Sequence, residues 1–448
     1  MSVTLSTGGN DGFLKVFSDF KEHASGKGIG WLDSIREKGI AKFSELGFPT
    51  PDNEDWRFTN VTPIARTNFG IEMNGRPKVS KQTVNRFIFP DLTCSLLVFI
   101  DGRYSQELSS ISELPEGIKV LSLSEAFDRE EELLQQSLSA YADFENEAFT
   151  ALNAAFMEDG GFIYLPDKTV LKNPVHLLFI TTEKEKPAIT NVRNLIIVGD
   201  NSEANIVEHY VSLNDSVYLS NVVTELVLGE NSTVGHYLLE QESKKAFNIS
   251  TLRVQQARSS NLRSHSVLLG GALVRNNVHP VLAGEACDSL INGLFMPTGR
   301  QHMDNYMVVE HASPHCDSRQ FYNGVLDGRS RGVFHGRIIV HKDAQKTDAK
   351  QTNRNLLLSD NAQIDTKPQL EIYADDVKCT HGATIGQMDE NAVFYLRSRG
   401  IPDETARDIL MSAFTSATLE SIKIEQIRSY CEKLVADWFV QRKLSKKA

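Results

Sequence analysis

The chain has 448 residues, enough for two to four domains or for one long repetitive fold. With 41% apolar and 23% charged residues it has an ordinary soluble globular balance and enough apolar material for a substantial core. Its net charge of −11 leaves no basic face for phosphate, which argues against nucleic acid as a partner.

The N-terminus, Met1-Ser2-Val3-Thr4-Leu5, lacks the basic start and apolar run of a secretory signal. The longest apolar runs, such as Leu96-Leu97-Val98-Phe99-Ile100, fall far short of the roughly 20 residues that span a bilayer. A cytoplasmic protein with no membrane partner is expected. Residues 1–160 read as mixed and mainly helical. A helix-like stretch carries Leu32, Ile35 and Ile40 and breaks at Gly47, Pro49 and Pro51. Leu96–Ile100 reads as a short strand meeting a turn at Asp101-Gly102. A Glu-rich helix is expected over 123–137. Another, over about 147–158, has Phe149, Leu152, Ala155 and Phe156 on one face and stops at Asp159-Gly160-Gly161.

From 161 to 396 the pattern changes. Short strand-like pieces recur without helices: 195–198, 224–228, 235–239, 252–254, 337–340 and 370–373. Gly199-Asp200-Asn201-Ser202 returns 30 residues later as Gly229-Glu230-Asn231-Ser232. Polar turns follow at 342–344, 359–362, 374–376 and 389–392, spaced 15 to 17 residues apart. A fixed pulse of strand and turn over this length suggests a parallel β-solenoid, whose rungs stack about 4.8 Å apart. A β-sandwich or barrel has similar strand spacing, and the number of repeats favours the solenoid.

Helix returns over 397–448. Pro402 suits a first turn, and Asp403 and Glu404 suit the positive helix end. Ala406, Leu410, Ala413 and Ala417 follow helical spacing, with Ile409 and Phe414 beside them. A second helix carries Ile427, Cys431, Leu434 and Trp438 on one stripe. Such a pair can cap the solenoid or dock a partner. The basic run Arg442-Lys443-Leu444-Ser445-Lys446-Lys447 reads as a frayed, solvated tail.

There is no P-loop, no G-x-S-x-G, no H-E-x-x-H and no dinucleotide fingerprint. The five cysteines, Cys94, Cys287, Cys316, Cys379 and Cys431, are scattered and form no C-x-x-C, which argues against a disulfide framework and a self-contained metal motif. Asp375 and Asp376 resemble a carboxylate pair, but neighbours on a strand point apart, so a turn is expected there. Ten of the twelve histidines lie between His209 and His381. The densest group is His302, His311 and His315 with Cys316. Pro314 and the expected strand-and-loop structure deny it a helical i, i+4 metal pair. In Lys378-Cys379-Thr380-His381-Gly382-Ala383-Thr384, Cys379 and His381 share one face of a strand. Thiolate and imidazole suit iron and iron–sulfur sites, whereas a buried cysteine beside a hydrogen-bonded histidine is the more ordinary reading of two such residues by themselves. Two ligands do not complete a cluster site, so another molecule must supply the rest.

Several segments carry a family resemblance: Val333-Phe334-His335-Gly336-Arg337-Ile338-Ile339-Val340, Ala344-Gln345-Lys346-Thr347-Asp348-Ala349, Asn355-Leu356-Leu357-Leu358-Ser359, Leu370–Cys379 and Tyr395-Leu396-Arg397-Ser398-Arg399-Gly400-Ile401. With Glu54-Asp55-Trp56-Arg57-Phe58-Thr59 and Ala151-Leu152-Asn153-Ala154-Ala155-Phe156, they make the chain resemble the SufB/SufD family, scaffold proteins of the SUF iron–sulfur cluster assembly system. Cys379-Thr380-His381-Gly382-Ala383-Thr384-Ile385-Gly386 resembles the SufD branch. The resemblance implies a mainly β fold, a right-handed parallel β-helix with an N-terminal helical region and a C-terminal helical pair. It implies a non-catalytic scaffold subunit, a SufB-type scaffold partner and a SufC-type ATPase, with a homodimer possible. It implies that Cys379 and His381 help hold a transient iron–sulfur cluster shared with the partner, none being held stably by the chain alone. Ala406, Ile409, Leu410, Ala413 and Phe414 are the expected ATPase-docking residues. The alternatives are a metal-binding β-protein or a carbohydrate-active β-helix enzyme.

Overall fold

The computed structural model describes residues 10–71 and 78–447; the stretch 1–9, which lacks the sequence features of a secretory signal, lies outside the described residues. The 15- to 17-residue pulse is half of the structural repeat. From Gly161–Leu165 to Lys378–Gln387, successive strands alternate between a nine-stranded and a ten-stranded sheet. Each strand pairs in parallel with the strand two places on: Val192 opposes Val222, Val222 opposes Ser250, and Ser250 opposes Asn276. Two facing parallel sheets wound in this way are a β-solenoid of about eight turns.

The repeated tetrads mark one corner of this coil. Lys168, Asn201, Asn231, Ser259, Ala286, His315 and Lys346 all have positive φ, recurring at 27- to 33-residue intervals. Asn tolerates this conformation best among the side-chain-bearing residues, which explains Asn201 and Asn231. After each corner a small polar side chain turns inward. Ser232 Oγ donates to Gly229 O at 2.7 Å, Ser260 Oγ to Ala257 O at 2.7 Å and Thr347 Oγ1 to Ala344 O at 2.9 Å.

The solenoid strands after the first two are eight to eleven residues long, longer than the apolar pieces visible in sequence. Their remaining positions are polar yet buried, among them Asn194, Thr224, Glu225, Asn248 and Asn276. These groups hydrogen-bond between rungs: Asn221 Nδ2 donates to Asn191 Oδ1 at 2.9 Å, and Asn194 Nδ2 to Thr224 Oγ1 at 3.0 Å. Paired in this way, buried polar groups avoid the penalty of leaving water unsatisfied.

The solenoid begins inside the N-terminal region. Ser95–Ile100, the predicted strand, pairs in parallel with Val175–Thr181, and Asp101-Gly102 turns with positive φ at both residues. The Glu-rich segment is two helices, Leu123–Arg129 and Glu131–Ser137, broken at Glu130; a capping box between Ser122 and Glu125 starts the first. Ala148–Phe156 is helical as expected but buried on every side. It packs between Phe13, Phe20 and Phe43 of the first two helices and the outer face of the nine-stranded sheet at Ile189 and Leu219. This helix ends at Phe156, before the expected glycine stop. Gly160 instead serves close backbone approach, since a Cβ there would lie 2.1 Å from Arg193 O.

Three helices, not two, follow the last strand: Glu390–Ser398, Asp403–Leu419 and Glu425–Lys447. The tetrad at 389–392, expected as a turn, is the start of the first, with Asp389 Oδ1 accepting from the Asn391 N–H at 2.9 Å. The last two helices lie along the flank of the ten-stranded sheet rather than on its end. Met411, Leu419, Ile427, Cys431, Val435 and Trp438 pack with Val207, Leu239, Val267 and Leu294. Trp438 Nε1 donates to Met296 O at 2.8 Å. The basic tail is an ordered continuation of this helix. Arg442 pairs with Asp327 and Lys443 with Asp408, ion pairs that a solvated reading of the run misses. Among the described residues no helix is long and apolar enough to cross a membrane.

Candidate functional site at the open end of the solenoid

Because the C-terminal helices leave by the flank, the last turn of the coil has no lid among the described residues. Its two strands, Gln363–Ile372 and Lys378–Gln387, are the outermost of their sheets and each pairs on one side only. Lys378–Gln387 is exposed over most of its length. An edge of unpaired N–H and C=O groups beside an open core is one that natural folds usually cover.

Register fixes which side chains face this opening. Cys379, His381, Ala383 and Ile385 stack on Ala349, Gln351, Asn353 and Asn355, all four of which are buried in the lumen. Cys379 and His381 therefore share the inward face, as the period-two argument expects. Cys379 is half-buried and packs against the main core cluster, while His381 is exposed at the rim. Burial raises the Cys379 thiol above its ordinary pKa, and the nearby Asp348 carboxylate pushes the same way. Deprotonation to a metal-binding thiolate is thus disfavoured in the chain alone and needs a nearby cation. On the facing sheet, Ile364 and Leu370 pack against the core below the opening. Pro368 sits on the edge strand, where a missing N–H interrupts no interior ladder. Ile372, Tyr373, Ile385, Phe394 and Tyr395 add exposed apolar surface around the rim, Phe394 at 71% exposure.

The histidine-rich group does not assemble. His302 and His311 occupy opposite ends of one ten-residue strand, about 30 Å apart at 3.3 Å per residue. His302 Nε2 meets Thr59 Oγ1 at 2.9 Å, and His311 Nε2 meets Ser318 Oγ at 2.9 Å. His315 is a corner residue with positive φ, and Cys316 is buried with its thiol donating to Gly284 O at 3.3 Å. Among the described residues no three His, Cys, Asp or Glu side chains are grouped to hold a metal ion. Asp375 and Asp376 lie in a corner as expected, the Asp376 N–H bonding Gln345 Oε1 at 2.9 Å.

The five residues on the helix Asp403–Leu419 divide. Ala406 is fully buried, Leu410 and Phe414 are half-buried, and Ile409 and Ala413 face solvent, with Ile409 43% exposed. The segment Glu54–Thr59, noted only as a motif, is a strap across the nine-stranded sheet. Trp56 and Tyr306 sandwich the Arg275 guanidinium, at 3.9 and 4.5 Å from the ring centroids. Arg275 also pairs with buried Asp304, which accepts from Thr59 Oγ1 at 2.5 Å. Glu54 reaches Lys367 of the edge strand at 2.9 Å. The signal for this was the motif's lone Trp among charged residues, but nothing in the sequence points to its distant partners.

Comparison with known proteins agrees with this architecture. Residues 179–414 match the SufBD core domain of the SUF system for FeS cluster assembly, and residues 8–177 match the SufBD protein N-terminal region. An iron–sulfur cluster assembly SufBD family protein of Synechocystis is 34% identical over 432 residues, 94% of this chain and 95% of its own length. The iron–sulfur cluster assembly protein SufD of Escherichia coli is 32% identical over 394 residues, 88% of this chain and 89% of its own. A chloroplastic protein of Arabidopsis thaliana, ABCI7, is 31% identical over 408 residues, 89% of this chain and 84% of its own. With the solenoid, the helical regions and both matches in agreement, the chain belongs to the SufB/SufD family of the SUF iron–sulfur cluster assembly system.

Proposed function

We propose that this chain is a non-catalytic scaffold subunit that pairs through its open solenoid end with a SufB-type chain and holds a nascent iron–sulfur cluster at the shared interface. The observation that carries this reading is the uncapped last turn, which presents Cys379 and His381 inward and side by side at an unpaired strand edge. Two soft ligands from this chain leave at least two positions for the partner, because iron–sulfur clusters are ordinarily held by four protein ligands. The cluster is cargo, built and passed on. A SufC-type ATPase docks, in this reading, on the solvent face of the helix Asp403–Leu419 around Ile409 and Ala413, and its cycle moves the paired scaffolds. The absence of a phosphate-cradling loop in this chain fits a division in which ATP chemistry belongs to that subunit. The same reading makes the chain cytoplasmic and leaves it without a stably held cluster when alone.

Hydrogen exchange tests the pairing. In the chain alone, the outer-edge amides of Lys378–Gln387 should exchange rapidly, having no backbone partner among the described residues. In the complex with the SufB-type chain they should slow by at least about 100-fold, roughly 3 kcal/mol of protection at 1.4 kcal/mol per tenfold. Equal exchange in the two states would move the interface elsewhere on the molecule.

A further inference from the structure

The column of side chains that ends at His381 continues down the lumen. His236, Ser264, Ile291, Gln320, Gln351 and His381 occupy one register position in six successive strands of the ten-stranded sheet. Immediately beneath the opening are the two glutamines. Gln351 Nε2 donates to Gln320 Oε1 at 2.8 Å. Gln351 is 1% exposed, yet its Oε1 has no hydrogen-bond partner among the described residues. A buried carbonyl oxygen left without a donor costs about 1–3 kcal/mol, so the site wants an N–H.

Gly336 on the facing sheet fixes where this amide lies. A Cβ at 336 would stand 2.0 Å from Gln351 Nε2, so the glutamine reaches across the lumen only because that residue is glycine. The next position up the column, one rung or about 4.8 Å away, is His381. Its imidazole makes no hydrogen bond among the described residues, and neutral imidazole has one N–H to give.

We propose that Gln351 is a positioning residue for His381: its Oε1 accepts the inward imidazole N–H, selects one tautomer, and leaves the lone pair of the other nitrogen directed out of the open end. This rests on the reading of His381 as a cluster ligand. Metal-binding histidines commonly have their second nitrogen held by a carbonyl or carboxylate in this way, which fixes the ring and raises its basicity. Gln320 in turn orients Gln351 by accepting from its amide. A purely structural amide ladder would use the same two glutamines but would have no effect on the state of His381.

The test reads the tautomer directly. Full-length chain carrying 15N-histidine is examined by NMR at about pH 8.5, two units above the ordinary imidazole pKa, with His381→Ala identifying the resonance. The wild type should show His381 in a single tautomer. Truncating one glutamine alone would strand the other, whereas replacing both is nearly neutral for stability. The double variant Gln320→Leu/Gln351→Leu should therefore fold and show the mixed tautomers of a solvated ring. Gly336→Ala, which displaces the amide by one methyl group, should move the signal the same way. In the assembled complex the double variant should lose roughly tenfold in cluster content, the lower range for losing an outer partner of a metal-binding histidine. An unchanged tautomer ratio in both variants would overturn the proposal. If His381→Ala leaves cluster content normal while the variants still alter the tautomer, the ligand reading fails and the positioning contact stands.

Discussion

At the scale of single residues, burial decides which histidines are open to a ligand from outside. His302 and His311 look like ligands in sequence, but both are enclosed, and burial lowers each pKa to about 4. They are neutral in the fold, whereas in the unfolded chain they take up protons near pH 6.5. Their contribution to stability is therefore complete above pH 6.5 and is lost as pH falls from 6.5 towards 4. It is on the order of 3 kcal/mol for each. Two buried carboxyls act in the opposite sense. Glu240 and Glu242 both favour the protonated form through burial, and the charge of Glu242 raises Glu240 further. Their contribution grows as the pair takes up protons on lowering the pH. His311→Gln, which keeps a polar partner for Ser318, should flatten the loss of melting temperature between pH 7 and pH 4.5 relative to the wild type. Thermal melts across that range check this, and parallel pH profiles for the two proteins would contradict it. His381 escapes this enclosure because its strand has no successor. Its side could be read from the period of two, but its standing on Gln351 could not, because a polar residue at 351 looks like surface until the solenoid places it in the lumen.

At the scale of elements, periodicity found the last two helices but neither the one before them nor where they lie. The stripe Ile427, Cys431 and Trp438 is apolar because it covers the ten-stranded sheet, and Ala406 belongs to the same packed side as Met411. Deleting 403–448 would strip cover from that sheet, so loss of a partner after such a deletion would be ambiguous. Point changes on the solvent face are cleaner. Ile409→Asp with Ala413→Glu should cut ATPase recovery in a pull-down by about tenfold or more, since a charge facing an apolar partner costs upwards of 1.4 kcal/mol. The melting temperature should stay within about 2 °C, as exposed substitutions usually change stability by under 0.5 kcal/mol. Full retention of the ATPase would place docking elsewhere. The strands show the converse difficulty. Their apolar halves were visible, while the pairs Asn191 with Asn221 and Ser250 with Asn276 stood in the way of seeing full length, because hydrogen bonds between rungs have no local sequence signature.

At the scale of the whole molecule, the coil was legible from its corners. Asn201 and Asn231 mark one of them thirty residues apart, and the half-repeat follows from two sheets sharing each turn. What the corners do not reveal is the way the coil ends. That depends on the helices leaving along the flank, which leaves the outer edges of the last two strands unpaired among the described residues. Both the proposed pairing and the proposed cluster site follow from this one architectural fact, and His381 is where they meet. The most direct test is the iron and acid-labile sulfide content of the assembled complex carrying His381→Ala, measured beside its thermal melt and subunit composition. The account predicts cluster content near background, with all subunits retained and a melt within about 2 °C of the wild type, because an exposed rim side chain contributes little to stability. Wild-type iron and sulfide in that complex would contradict the assignment of a shared cluster site to the open end.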